Sequence, residues 1–139
     1  MARVDFYVLS QFGAQSRQAF ACRLAEKAWR LDNTVHIHAD DRTSAEQIDQ
    51  LLWTFRDGSF VPHDMADACD ASTPICIGYG DVAEPRDLLI NLCDTIPTFA
   101  ETFPRIAELV TSDADARHLS RKRFADYRDK GHTLETHNV

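Results

Sequence analysis

No stretch of this chain reaches the ~18 consecutive apolar residues that cross a bilayer. The opening, Met1 to Ser10, is too short and too soon interrupted by charge to serve as a signal peptide. A cytoplasmic protein is therefore expected. The chain also lacks Gly-x-Gly-x-x-Gly and any Walker sequence. Its first strand-to-helix turn, Ser10 to Ala14, holds one glycine, and Gly78 and Gly80 lead to Pro85 rather than to a helix start. A dinucleotide or phosphate loop is thereby disfavoured. No Gly-x-Ser-x-Gly elbow is present. Cys22, Cys69, Cys76 and Cys93 show no Cys-x-x-Cys spacing, so reduced, buried thiols are expected rather than a disulfide or zinc site.

What is present fits one ordinary domain, residues 1–139. The apolar fraction is 44% and the charged fraction 27%, and 139 residues can bury a core without staples. Val4 to Leu9 reads as a strand and Gln15 to Leu31 as a helix, with Phe20, Leu24, Ala28 and Leu31 as its core stripe. Thr34 to His38 alternates like a strand. Ser44 to Phe55 reads as a second helix, capped by Thr43 or Ser44 and burying Ile48, Leu51, Leu52 and Phe55. Phe60 to His63 is a short extended piece, and Met65 to Ser72 a polar, mobile one. Pro74 to Tyr79 and Leu88 to Leu92 read as strands buried on both faces, with a loop between them. Pro97 to Phe103 holds a helical turn, and Arg105 to Val110 is a strand. The last helix starts at Ser112 or Asp113 and ends at Gly131, where a left-handed cap is expected; His132 to His137 forms a final strand. This order predicts a three-layer, Rossmann-like α/β fold with a largely parallel central sheet and no phosphate-binding loop.

Charge is distributed unevenly. The formal net charge is −7, yet six of the fifteen Lys and Arg residues lie between Arg117 and Lys130. Arg117, Arg121, Phe124 and Arg128 are spaced four, three and four apart, which aligns them on one helix face. Guanidinium forks beside an aromatic suit a ligand that is both acidic and apolar. The acidic total argues against direct nucleic-acid binding as the main role. His36, His38 and Asp40, with His63 and Asp64 beyond, leave open a metal-dependent hydrolase or nucleotide-binding protein. The ligand set is incomplete, and the favoured reading is that the imidazoles line the polar face of an edge strand.

Two segments carry a resemblance. One runs Leu52-Trp53 and then Ser59-Phe60-Val61-Pro62-His63. The other runs Arg121-Lys122-Arg123-Phe124, Tyr127-Arg128 and Gly131, with Leu134 and His137 beyond. Asp5-Phe6-Tyr7, the run Cys22 to Trp29, and Leu88 to Leu92 followed by Pro97, Phe99 and Phe103 extend it over essentially the whole chain. In this order the chain resembles the chi subunit of the bacterial DNA polymerase III holoenzyme.

The resemblance implies a replisome-associated accessory subunit with no active site, cofactor or metal of its own. It implies a heterodimer with the psi subunit of the clamp loader. It also implies binding to the acidic C-terminal tail of single-stranded-DNA-binding protein, so that nucleic acid is engaged only indirectly and no membrane is involved. The family's tail site falls on Val110, Arg117, Arg121, Phe124 and Thr136, with Arg128 in the same stripe. Arg121 would anchor the terminal carboxylate and Arg117 meet acidic side chains. Val110, Phe124 and the arginine stems would receive the terminal phenyl ring, and Thr136 would supply a hydroxyl. Where some relatives carry Lys after the aromatic, this chain has Ala125: either one cationic contact is lost there, or Lys122 or Arg128 replaces it. Trp53, Phe60, Val61, Pro62 and His63 resemble the surface that meets psi or another partner.

Overall fold

The computed structural model describes every residue except Met1, Arg56, Gly58, Ser59 and Phe60. The expectation for Phe60 therefore lies outside the described residues, as does most of the Arg56 to Ser59 turn. Among the described residues seven strands and three α-helices follow one another along the chain. They are β1 (Arg3–Val8), α1 (Ala14–Arg30), β2 (Val35–His38), α2 (Arg42–Thr54), β3 (His63–Met65), β4 (Ile75–Gly78), β5 (Leu88–Asn91), β6 (Arg105–Val110), α3 (Ala114–Asp129) and β7 (Thr133–Asn138). Short 3-10 turns occupy Ala66–Ala68 and Ala100–Thr102. All seven strands join one parallel sheet in the order β3-β4-β2-β5-β6-β1-β7.

Alternation along the strands sorts side chains into two cores. Val35, Ile37, Ile75, Ile77, Ile90, Ala107 and Leu109 pack with Ala21, Ala25, Ile48 and Leu52 of α1 and α2. On the opposite face Val4, Phe6, Leu89, Ile106 and Val110 pack with Tyr127 and Phe124 of α3. Each fully buried Leu, Ile or Phe adds about 1.5–3 kcal/mol to this arrangement. The layers are thus helices, sheet and helix.

Several local expectations are corrected. The α1 stripe is centred on Ala21, Ala25 and Ala28, small residues that let the helix lie close to the sheet, while Leu31 is 66% exposed just past its end. Asp41, not Thr43 or Ser44, caps α2: its Oδ1 accepts the Ser44 amide at 2.8 Å. Asp113 does occupy the cap position of α3, but its carboxylate accepts from the Thr111 hydroxyl at 2.6 Å and the Gly13 amide at 3.1 Å. It ties the turn after β1 to the start of α3. Gly131 has φ +85°, the left-handed conformation expected after α3.

Two further corrections concern polar and sulfur groups. β2 is an interior strand between β4 and β5, so His36 and His38 are buried rather than lining an edge. Gly78 makes room for this: a Cβ there would meet His36 Cε1 at 2.7 Å. Cys69 and Cys76 form a disulfide, because the turn at Ala66–Ala68 folds the chain back over β4. Cys22 and Cys93 are free and buried, and burial pushes both thiols up to about 12.

Candidate partner-binding site on the third helix

Two residues of α3, Arg123 and Tyr127, are buried against the sheet. Arg117, Arg121 and Arg128 are exposed along the adjacent face, with Phe124 half-buried among them. The Phe124 ring lies 5.3 Å from that of Phe6, which in turn meets Tyr127 edge-on at 6.1 Å. An aromatic seat of this kind leaves one side of Phe124 for another apolar group. β7 runs alongside, and Thr136 is exposed at the register position of Phe6. Val110 pairs in register with Val8 but is 2% exposed. It belongs to the buried cluster against which Phe124 packs.

Among the described residues Arg117, Arg121 and Lys122 make no ion pair. The Arg117 Nη2 donates to Ser112 Oγ at 3.4 Å, and Arg128 meets only its neighbour Asp129, at 3.5 Å. Arg123, counted with the basic block, faces inward. Its Nε donates to Glu108 Oε1 at 3.0 Å, with the two side chains 5% and 0% exposed. The Tyr127 hydroxyl donates to Glu108 Oε2 at 2.7 Å, and Asn91 Nδ2 to the same oxygen at 2.9 Å. Burial raises the pKa of Glu108; the Arg123 charge and these hydrogen bonds offset it in part. The one signal for this hub in the sequence is Glu108 itself, the single acid inside the apolar run Ile106 to Val110.

The second expected surface divides in the same way. Trp53 is 43% exposed at the end of α2, and its ring lies 4.5 Å from that of His63. His63 is buried, with Nδ1 2.6 Å from the Val61 carbonyl and Nε2 3.0 Å from the Asp49 carbonyl. Val61 is fully buried and Pro62 half-buried. The buried His63 ring thus lies beneath Trp53, and Val61 belongs to the core cluster.

The histidine pair does not gather a ligand set. The rings of His36 and His38 stack at 5.7 Å, with Phe99 edge-on to both. His36 Nε2 and His38 Nδ1 are buried without a hydrogen-bond partner among the described residues. Burial, then the neighbouring His38 and Arg86, push His36 down to about 3. The one group of three possible ligands that converges among the described residues is Asp5, Glu135 and His137. These are already engaged: Asp5 accepts from His137 at 2.9 Å and Arg105 at 3.2 Å, and Arg3 bridges Asp5 and Glu135. Burial would raise the Asp5 pKa, but the hydrogen bonds from His137 and Arg105 and the two arginine charges hold it below the usual aspartate value. No helix among the described residues is long and apolar enough to cross a membrane.

Comparison with known proteins bears on the fold and on the family. Fold alone is shared with the crystal structure of T4 UvsW, at TM-score 0.65 and 8% identity; the match covers 99% of this chain and 41% of that one. Proteins named DNA polymerase III subunit chi align over nearly their whole length. The one from Pseudomonas aeruginosa is 41% identical, covering 100% of this chain and 98% of the relative. That from Haemophilus influenzae is 34% identical, covering 97% and 96%. That from Escherichia coli K12 is 29% identical, covering 98% and 97%. A family model described as "DNA polymerase III chi subunit, HolC" matches residues 1–135, and the chain belongs to that family.

Proposed function

We propose that this chain is a DNA replication accessory subunit that bridges two proteins without catalysis of its own. One partner is the acidic C-terminal tail of single-stranded-DNA-binding protein, taken up by α3 and β7. The other is the psi subunit of the clamp loader, met at the surface around Trp53. The observation that carries the first half is the row Arg117, Arg121 and Arg128 with Phe124 half-buried among them. A peptide ending in aspartates and a phenylalanine offers carboxylates to the forks and a ring to the aromatic seat. The reading of Trp53 rests on family likeness and on its exposure over a buried histidine shelf.

The test is a titration with a short acidic peptide ending in Asp-Phe, repeated with its terminal carboxylate amidated. Saturable binding of the free acid, weakened at least tenfold by amidation, supports the reading. Equal affinity for both forms contradicts a carboxylate anchor.

A further inference from the structure

The arginine row can meet a peptide only if α3 is held at one rotation about its axis. At about 100° per residue, a slip of one position would turn Arg121 off the exposed face. Apolar packing alone leaves this rotation loosely set, since of the apolar-bodied residues of α3 Tyr127 is fully buried while Phe124 is only half-buried against Phe6. A polar hub does what packing leaves undone. Glu108, fully buried on β6, receives Arg123 Nε at 3.0 Å, the Tyr127 hydroxyl at 2.7 Å and Asn91 Nδ2 at 2.9 Å. Arg123 Nη1 also donates to the Asp94 carbonyl at 2.9 Å, and Asn91 Nδ2 to that of Thr95 at 3.0 Å. β5, β6, the turn after β5 and two successive turns of α3 are thereby joined at one carboxylate.

We infer that Glu108, Arg123 and Tyr127 are positioning residues: they fix the rotation of α3 and so aim Arg117, Arg121 and Arg128 at the acidic peptide. A buried ion pair is a weak source of net stability, because desolvation offsets its attraction. Its directional bonds do select one geometry over near neighbours. The inference rests on reading α3 as the acidic-peptide site.

The test removes the carboxylate and both of its α3 partners at once, in Glu108→Leu/Arg123→Met/Tyr127→Phe, so that none of the three is left buried and unpaired, while Asn91 keeps its bond to the Thr95 carbonyl. Affinity for the Asp-Phe peptide is measured at temperatures equally far below each protein's Tm, with Arg121→Ala in parallel. The expected result is a Tm within a few degrees of the parent and an affinity about tenfold lower. A folded triple variant that binds within twofold of the parent overturns the inference. If the triple variant does not fold, Tyr127→Phe serves: it removes one bond to Glu108, and a two- to threefold loss at matched stability is expected, with none overturning the positioning role. The control separates the two claims. Parent-like binding by Arg121→Ala sinks the site itself, whereas loss there with parent-like binding by the hub variant sinks only the positioning role.

Discussion

Arg121 and Arg123 stand two residues apart on α3 and face opposite ways: Arg121 is exposed without an ion pair among the described residues, while Arg123 donates to the fully buried Glu108 at 3.0 Å. Two arginines that look alike in the sequence therefore have different consequences. Arg123→Ala leaves a buried carboxylate without its cation, which costs about 3–5 kcal/mol. Arg121→Ala removes an exposed side chain from a helix position that favours alanine and should leave the fold intact. Urea unfolding of both variants checks this, and equal midpoints would contradict the inward assignment of Arg123.

The surface around Trp53 separates contact from support. Trp53→Ala should weaken psi binding while leaving acidic-peptide binding and the melting temperature close to the parent. His63→Ala should lower stability, because it removes the buried ring beneath Trp53 and its contacts to Val61 and Asp49. Pull-down of psi, peptide titration and thermal melts on the two variants distinguish these roles. Loss of peptide binding in Trp53→Ala would contradict the two-surface account.

Acid should begin to destabilise the protein near pH 6.5, before the carboxylates titrate. His36 is pushed down to about 3 by burial, then by His38 and Arg86, whereas an unfolded histidine titrates near 6.5. His38 is lowered by burial too, against the opposing charges of Asp40 and Asp81. Between those two values the unfolded chain binds more protons, so the stability present above about pH 6.5 is lost as pH falls toward about 3. The slope from His36 alone approaches 1.4 kcal/mol per pH unit within the window. His36→Gln should flatten that part of a stability-against-pH curve. An unchanged slope would mean that His36 is not held neutral.

Reducing the Cys69–Cys76 bond should lower stability by roughly 2–3 kcal/mol on chain-entropy grounds, given the seven-residue separation. Calorimetry with and without reductant measures it. A Cys69→Ser/Cys76→Ser variant should melt like the reduced parent and show no further response to reductant.

Much of the scaffold was legible because its strands are short apolar runs between clear punctuation. Arg105–Val110 was expected and found as a strand, and Gly131 as a left-handed cap. Strand order was not legible, so His36 and His38 were assigned to an edge although β2 lies inside the sheet. Side-chain alternation reads which face a residue takes, not how many strands flank it. The cap of α2 was missed by two or three residues because Asp41, Thr43 and Ser44 are all competent caps. The disulfide was missed because its partners meet through a turn that no cysteine spacing announces. At the candidate site, four-three-four spacing identified the outward face of α3. It did not show that Val110, Val61 and His63 are buried, since burial near a strand end depends on what the fold lays over it.

The central claim is that Arg121 anchors an acidic peptide by its terminal carboxylate. The most direct measurement is calorimetric titration of the Asp-Phe peptide into the parent, Arg121→Ala and Arg121→Lys at two salt concentrations. Losing one member of a partly desolvated, charge-assisted pair costs about 2–5 kcal/mol, or roughly 30-fold and upward in affinity. Arg121→Ala should therefore nearly abolish binding. Arg121→Lys should recover part of it, because charge returns without the planar fork. The parent should bind more weakly as salt rises. If Arg121→Ala binds the peptide as well as the parent does, the arginine row is only a solvated helix face, and the account is contradicted at its centre.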